Sequence, residues 1–234
     1  MSGSFVPDRW IPGERLAGRL RPPAPAPDAV TIGVLALQGD VLEHLRVLRR
    51  CGADAVTVRR AEDLAELDGL IVPGGESTTI GKLLARFGLL DPLRARVRDG
   101  LPTFGTCAGM ILLSDQLDQA ESQPLIGGLH VLTRRNAFGR QVDSFDTRLQ
   151  VAGLEGGPVD VAFIRAPRVE AVLADDVEVL ADVDGYPVVV RQGHLLATAF
   201  HPEVTGDDRL HAAFVASVRA RRPVTSPSAA QESP

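Results

Sequence analysis

A cysteine between two glycines is the first group of residues with evident chemistry. It lies in Gly105-Thr106-Cys107-Ala108-Gly109, directly after the mostly apolar run that begins at Leu101. This G-x-C-x-G pattern is the sulfur form of a nucleophile elbow, in which a strand ends, the chain turns sharply and a helix begins. The start of a helix favours a thiolate, and the N–H of Ala108 can donate to an oxyanion. These five residues alone leave open a second interpretation, a core cysteine beside a glycine turn.

A histidine and a glutamate two residues apart supply the partners that such a cysteine needs. His201 and Glu203 flank Pro202 at the end of an apolar run, so their side chains can lie on one face of a strand end. Glu203 can then accept a hydrogen bond from one imidazole nitrogen and leave the other for Cys107, in the order of a Cys-His-Glu triad. The alternatives are a surface ion pair or half of a metal site. We expect no metal, because no second histidine lies close by.

A glycine turn follows another predicted strand, at residues 70–72. It reads Pro73-Gly74-Gly75-Glu76-Ser77, and glycines there let the backbone approach a ligand closely. The turn lacks the G-x-x-x-x-G-K-[ST] pattern of a phosphate-binding loop. A plain connection in which Ser77 caps the next helix remains an alternative. In an open α/β sheet this turn and the elbow share the edge at which ligands bind.

Two arginines, Arg135 and Arg165, follow predicted strands later in the chain. A free amino acid presents an α-carboxylate, which arginine neutralises by bidentate pairing. For any single arginine, a solvated surface position is the commoner role, and this alternative stays open.

The elements that must position these residues alternate between strands and helices. An apolar strand at 31–37 precedes a helix with an N-cap acid at Asp40, and a helix capped by Ser77 or Thr78 is expected to run to about Leu90. This order predicts a three-layer α/β/α domain with a doubly wound, mostly parallel sheet. Closely spaced strands after Gly128 predict an antiparallel flank, and a helix closes the domain. Further strands are predicted at 55–58, 101–105, 129–132, 147–151, 159–164, 177–181, 187–191 and 195–200, and helices after Cys107 and at 207–221.

Composition narrows the class of protein. The chain has 234 residues, a net charge of −5 and acids interspersed with bases, so nucleic acid is not an expected partner. No apolar run approaches the roughly 18–20 residues that would span a bilayer. The two cysteines, Cys51 and Cys107, make a poor disulfide framework, which favours the reducing cytoplasm. Cys51 stands before Gly52 without an elbow, and we expect it to pack in the core.

Several segments, in order, resemble one family. From about Thr31 to Arg219 the chain is similar to the glutaminase subunits of pyridoxal 5'-phosphate synthases, within the class I (triad) glutamine amidotransferase superfamily. The elbow and His-Pro-Glu are shared with the whole superfamily, whereas the longer segments are more specific. These segments are Gly33-Val34-Leu35-Ala36-Leu37-Gln38-Gly39, Pro73-Gly74-Gly75-Glu76-Ser77-Thr78-Thr79, the run 135–145 (RNAFGRQVDSF) and Phe163-Ile164-Arg165-Ala166-Pro167.

The resemblance implies an activity and a set of residues. It implies hydrolysis of L-glutamine, no cofactor, and ammonia delivery to a synthase partner in a large heteromeric complex. Cys107, His201 and Glu203 would form the triad, and backbone N–H groups of Gly75 and Ala108 the oxyanion hole. The implied glutamine contacts are Gly75, Glu76, Ser77, Arg135, Ile164 and Arg165.

The sequence also predicts domain boundaries and leaves alternative functions open. We expect an irregular extension at 1–29, an amidotransferase domain at 30–221 and a disordered tail at 222–234. One rival is a glutaminase subunit for another biosynthetic pathway. A second is a non-catalytic glutamine-sensing module, which an intact triad disfavours. A third is a cysteine peptidase, which two arginines suited to a free amino acid disfavour.

Overall fold

A computed structural model describes residues 29–118, 122–135 and 145–222. The expected extension at 1–29, except its last residue, and the expected tail, except Arg222, lie outside the described residues, as does the run 136–144. Within the described ranges, no helix is long and apolar enough to cross a membrane. The α-helices are α1 (Val41–Arg50), α2 (Ser77–Arg86), α3 (Leu90–Arg98), α4 (Ala108–Leu113) and α5 (Arg209–Arg221). Two short 3-10 helices span Ala61–Leu64 and Pro202–Val204.

The strands form one large sheet and two small ones. The large sheet has the order β10-β11-β12-β4-β3-β1-β2. Strands β2, β1, β3, β4 and β12 run parallel, whereas β11 and β10 add an antiparallel edge. The predicted α/β fold with a mostly parallel sheet and an antiparallel flank is therefore confirmed. The strand bounds are β1 Thr31–Leu35, β2 Asp54–Val58, β3 Gly69–Val72, β4 Thr103–Thr106, β5 Ser114–Leu117, β6 Leu129–Arg134, β7 Phe145–Leu149, β8 Val159–Phe163, β9 Arg168–Val172, β10 Val177–Val183, β11 Tyr186–Gln192 and β12 Leu195–Thr198.

Helices cover both faces of the large sheet, which explains why its central strands are almost entirely buried. Side chains alternate between faces along a strand, so Leu70 and Val72 belong to one core and Ile71 to the other. The first core receives α2, α3 and α4, and the second receives α1 and α5. Every residue of β3 and β4 is buried. The two strands that carry the glycine turn and the elbow are thus fully enclosed by the core.

Some predicted boundaries are wrong. The helix expected to run from Ser77 to Leu90 is two helices, because the chain takes a left-handed turn at Gly88, where φ is 67°. Glu76, not Ser77 or Thr78, is the N-cap of α2, since its carboxylate accepts hydrogen bonds from the N–H groups of Thr78 and Thr79. A carboxylate meets two orphan N–H groups at once, which a single hydroxyl does not.

Two small sheets complete the domain beyond the elbow. Strands β5, β6 and β9 form one, and β7 and β8 form the other. The sequence predicted neither β5 nor β9. The strand expected at 195–200 ends at Thr198, and the strand expected at 31–37 ends at Leu35. In both cases the residues after the strand turn into the carboxyl edge of the large sheet, where the candidate site lies.

Candidate active site

Cys107 lies at the tip of the turn between β4 and α4. Its φ of 47° and ψ of −101° place a non-glycine residue in strained backbone, as expected for a nucleophile elbow. Its N–H donates to the carbonyl of Thr198 at 2.8 Å, and its carbonyl accepts from Ile111 at 3.3 Å. The side chain is 7 % exposed. The sharp turn therefore presents a single, largely desolvated thiol at the start of a helix.

The glycines on either side of Cys107 are required by close backbone approach. A Cβ on Gly105 would lie 2.6 Å from the carbonyl carbon of Gly109, and a Cβ on Gly109 would overlap the carbonyl oxygen of Val72. Both contacts are with backbone, which cannot move aside as a flexible side chain can. The first glycine is thus required by packing within the elbow, and the second by packing between the elbow and β3.

His201 reaches the elbow because its strand is the neighbour of β4. Thr198 in β12 pairs with Thr106 in β4, so the chain leaves both strands at the same level of the sheet. His201 Nδ1 lies 2.8 Å from Glu203 Oε1, and both residues are buried. The sequence predicted this pair, but from an extended strand end, which is wrong. Pro202 and Glu203 instead form a 3-10 turn, and that turn folds the carboxylate back onto the imidazole.

The charge state of His201 follows from what surrounds it. Burial opposes the protonated form, but hydrogen bonds with Asp40, Cys107 and Glu203 outweigh it and raise the pKa of His201 to about 12. Burial raises the pKa of Glu203, although its contact with His201 opposes this rise. We interpret the site as an imidazolium held between the sulfur of Cys107 and two carboxylates.

Asp40 is a part of this site that the sequence analysis missed. Asp40 is the N-cap residue of α1, as expected, but its side chain makes no cap hydrogen bond. Asp40 Oδ2 instead lies 3.2 Å from His201 Nδ1, and the hydrogen bond with His201 lowers the pKa of Asp40. The available signal was its place in the connection between β1 and α1, at the same carboxyl edge as the elbow.

Asp40, His201 and Glu203 also have the spacing of a possible metal site. One ligand atom of each lies within 4.8 Å of the others. A doubly protonated imidazole has no lone pair to offer an ion. We therefore interpret the two carboxylates as partners of the imidazolium rather than as metal ligands.

The glycine turn after β3 packs directly against this histidine. A Cβ on Gly74 would overlap His201 Cε1 and approach Asp40 Oδ2 to 3.0 Å, so this position admits only glycine. The N–H of Gly74 donates to Thr106 Oγ1 at 3.0 Å, and its carbonyl accepts from the N–H of Asp40 at 3.2 Å. Gly75, with φ of 149°, lies against the side-chain oxygen of Gln38.

These features meet in one cleft of about 340 Å³, within the usual range of small-molecule sites. The sequence-predicted residues that line it are Gly75, Glu76, Ser77, Cys107, Ala108, Arg135, Ile164, Arg165 and His201. Glu203 lies behind His201, outside the lining. Gln38, Asp40, Ile111 and Val204 also line the cleft and were not predicted.

The two arginines differ in how they are held. Arg135 donates to Thr78 Oγ1 at 2.6 Å and to Glu76 Oε1 at 2.5 Å. Partial burial disfavours the charge on Glu76, but hydrogen bonds from Thr79 and Thr78 and the charge of Arg135 lower the pKa of Glu76 to about 2. Arg165 is exposed at the cleft, with φ of 48° and no ion-pair partner among the described residues. Arg165 is thus the more available cation.

Comparisons with known proteins identify the family of this chain. The SNO glutamine amidotransferase family model matches residues 34–220. A protein of Parafrankia sp. (strain EAN1pec) named pyridoxal 5'-phosphate synthase subunit PdxT is 66 % identical over 192 residues, which cover 82 % of this chain and 94 % of that protein. A Streptomyces coelicolor protein of the same name is 59 % identical over 200 residues, covering 85 % of this chain and 98 % of that protein.

Solved structures are similar as well. A crystal structure of a glutamine amidotransferase superposes with a TM-score of 0.75 at 50 % identity, over 81 % of this chain and 98 % of that one. A putative GMP synthase component from Thermoplasma acidophilum shares the fold alone, with a TM-score of 0.59 at 20 % identity, over 82 % of this chain and 94 % of that one. On the length of the family match and the identity to these relatives, the chain belongs to the SNO glutamine amidotransferase family.

Proposed function

We propose that this chain hydrolyses L-glutamine to L-glutamate and ammonia and delivers the ammonia to the synthase subunit of a pyridoxal 5'-phosphate synthase. The observation that carries this proposal is the single cleft in which Cys107 and His201 lie beside Arg135 and Arg165. The cysteine and histidine suit cleavage of an amide, and the arginines suit a free amino acid. The names of the 59 % and 66 % identical relatives support the synthase as the partner.

The residues have distinct roles in this reaction. The Cys107 thiolate attacks the side-chain carboxamide carbon of glutamine, and N–H groups of Gly75 and Ala108 stabilise the oxyanion. His201 gives its proton to the leaving nitrogen, so that ammonia departs and a γ-glutamyl thioester remains. His201 then takes a proton from water as the water attacks the thioester, which releases glutamate and restores the thiolate. Glu203 orients the imidazole and stabilises its charged form throughout.

Glutamine is positioned by the polar wall of the cleft. Arg165, which has no ion-pair partner in the described parts of the chain, can pair with the α-carboxylate. Arg135 can share its remaining N–H groups with the same carboxylate. Glu76 stays ionised over the working pH range and can accept from the α-ammonium. Ser77 and Ile164 complete the proposed contacts.

The turn at Gly74 and Gly75 makes the reaction dependent on the partner. The carbonyl of Gly74 is held by the N–H of Asp40, and glycine can change peptide orientation at low cost. Rotation of the Gly74–Gly75 peptide on docking would break this hydrogen bond and re-aim the N–H of Gly75. A missing oxyanion donor costs roughly 10²–10³ in rate. We therefore expect slow hydrolysis by the isolated chain and acceleration of that order by the synthase.

The decisive experiment measures glutamate release with and without the candidate synthase. Slow release alone and at least about hundredfold faster release with the synthase would support both the activity and its coupling. Glutamine binding without any release would identify a sensing module instead. Release that is unaffected by this synthase but accelerated by another amidotransferase partner would assign the chain to another pathway.

The proposal extends to the organisation and location of the protein. We assign residues 30–221 as the amidotransferase domain, because the family match at 34–220 and the described core coincide with it. We place the reaction in the cytoplasm, where a catalytic thiol is kept reduced. Fractionation of cells with an antibody to this chain tests the location.

A further inference from the structure

Behind the triad lies a cluster of buried polar side chains that the reaction above does not use. His44 from α1, Thr106 from β4 and His211 from α5 are each 0 % exposed. Full burial of three polar side chains is costly unless they satisfy one another or a functional group. The cluster lies between the helices of one face and the carboxyl edge of the sheet.

The contacts of His44 connect this cluster to two separate parts of the site. His44 Nδ1 lies 2.9 Å from His211 Nε2. On the other side of the ring, His44 Nε2 lies 3.1 Å from Thr106 Oγ1 and 3.5 Å from Glu203 Oε1. Thr106 Oγ1 also accepts the hydrogen bond from the N–H of Gly74. One imidazole therefore touches both the carboxylate of the triad and the hydroxyl that holds the glycine turn.

Burial determines the charge of both histidines. Desolvation lowers the pKa of His44 well below its usual value and lowers the pKa of His211 to about 4. Each ring is therefore neutral near pH 7 and carries one N–H. The contact between the two rings then requires that one nitrogen donate and the other accept.

The surroundings select one arrangement of these protons. Two oxygens face His44 Nε2, and Glu203 Oε1 is the oxygen that accepts from His201. A lone pair on His44 Nε2 would face that oxygen unfavourably, whereas an N–H there is attracted to it. His44 Nδ1 must then accept from His211 Nε2–H. His211 Nδ1 has no hydrogen-bond partner among the described residues. In this arrangement it carries a lone pair, and no buried N–H is left without an acceptor at that position.

We propose that His44 is a positioning residue that holds Glu203 and the Thr106–Gly74 contact in register through its Nε2–H, with His211 fixing its tautomer. The inference rests on the proposed function, because the groups that it positions are the orienting carboxylate and the oxyanion turn of that reaction. The His44 ring therefore fixes two groups at once: Glu203, which orients the base His201, and the glycine turn that carries the oxyanion donor.

Substitutions of His44 by glutamine and asparagine distinguish the role of its Nε2 from that of its Nδ1. In His44→Gln the amide nitrogen can take the place of Nε2, whereas in His44→Asn it can take only the place of Nδ1. His44→Leu removes both. His194→Gln is a matched control, because the His194 side chain bonds the carbonyl of Val97 and does not line the cleft.

The kinetic test measures glutamate release by these variants together with the synthase partner. We expect His44→Leu and His44→Asn to lower kcat roughly 10- to 100-fold with KM little changed, since they lose the hydrogen bond with Thr106 and the 3.5 Å contact with the Glu203 carboxylate while the glutamine contacts remain. His44→Gln should recover most of kcat, and His194→Gln should match the wild type. Equal activities of the Gln and Asn variants, or wild-type kcat in folded His44→Leu, would overturn the proposal.

A second measurement does not depend on activity. Nitrogen-15 NMR of histidine-labelled wild-type protein at about pH 7 should show His44 and His211 as neutral rings protonated at Nε2, with signals assigned from His44→Gln and His211→Gln. A proton on Nδ1 of His44 would overturn the proposal. If the wild type released no glutamate while these tautomers were found, the proposed function would fail and the proton arrangement would stand.

Discussion

The two cysteines of this chain lie in contrasting regions, although each is next to a turn that contains glycine. Cys107 occupies strained backbone after a buried strand and contacts His201. Cys51 ends α1 in ordinary backbone, half-buried, with Asp208 and Arg50 nearby. Burial and the charge of Asp208 raise the pKa of Cys51 to about 11, although Arg50 and Arg219 oppose the rise. Neighbouring groups, and not the residue type, therefore decide which thiol can react.

Replacing each cysteine by alanine gives the largest expected difference between the two regions, measured as the rate of glutamine hydrolysis. Cys107→Ala should reduce glutamine hydrolysis more than a hundredfold, because the loss of a covalent nucleophile typically costs far more than that. Cys51→Ala is the matched control and should stay within about twofold of the wild type. Glutamate release with the synthase measures both. If Cys107→Ala kept more than about a hundredth of the wild-type rate, the nucleophile assignment would be wrong.

Chemical labelling makes the same comparison in one molecule. A glutamine-like diazo-ketone should label Cys107 and spare Cys51, because at about pH 7.5 roughly one Cys51 in three thousand is a thiolate. Peptide mapping by mass spectrometry after limited reaction measures the ratio. Excess glutamine should protect Cys107, which separates site-directed labelling from general thiol reactivity. Preferential labelling of Cys51 would reverse the interpretation of the two regions.

The cations of the cleft should affect binding more than chemistry. Arg165→Ala and Arg135→Ala should each weaken glutamine binding by about 2–5 kcal/mol, with the triad still able to react. Arg165→Lys and Arg135→Lys keep the charge but lose the planar fork, so they should recover binding only in part. Calorimetric titration of glutamine into the Cys107→Ala background measures this without turnover. Normal binding by both alanine variants would assign the arginines to structure or to the partner interface.

The smallest expected effect is an increase in the reactivity of Cys51, the less reactive of the two thiols. Asp208→Asn removes a negative charge that raises the pKa of Cys51, so alkylation of Cys51 near neutral pH should increase roughly two- to tenfold. Measuring the rate with iodoacetamide in the Cys107→Ala background isolates the one remaining thiol. Arg50→Gln should act in the opposite direction, because Arg50 lowers that pKa. No change in either variant would mean that burial alone sets the reactivity of Cys51.

Much of the fold and site was predictable because local patterns carry them. Apolar runs that end in glycine turns identify β3 and β4, and the alternation of strands and helices gives a mostly parallel sheet whose carboxyl edge holds the ligand site. The G-x-C-x-G spacing, together with His201 and Glu203, predicted Cys107 as the nucleophile. Nine of the ten predicted site residues line the cleft, and Glu203, the tenth, contacts His201 from behind.

Only the tertiary structure decided which distant side chains meet. Asp40 is the N-cap residue of α1, but its side chain faces His201, because a side chain at this connection can turn either toward its own helix or toward the neighbouring turn. The sequence assigned no role to His44, whose contacts with Thr106, Glu203 and His211 span 62 to 167 residues of sequence. Local periodicity determines which residues are buried, whereas the order of the strands determines what they are buried against. The sequence therefore predicted which groups react, and the packing of α1 and α5 behind the sheet edge decided how those groups are held.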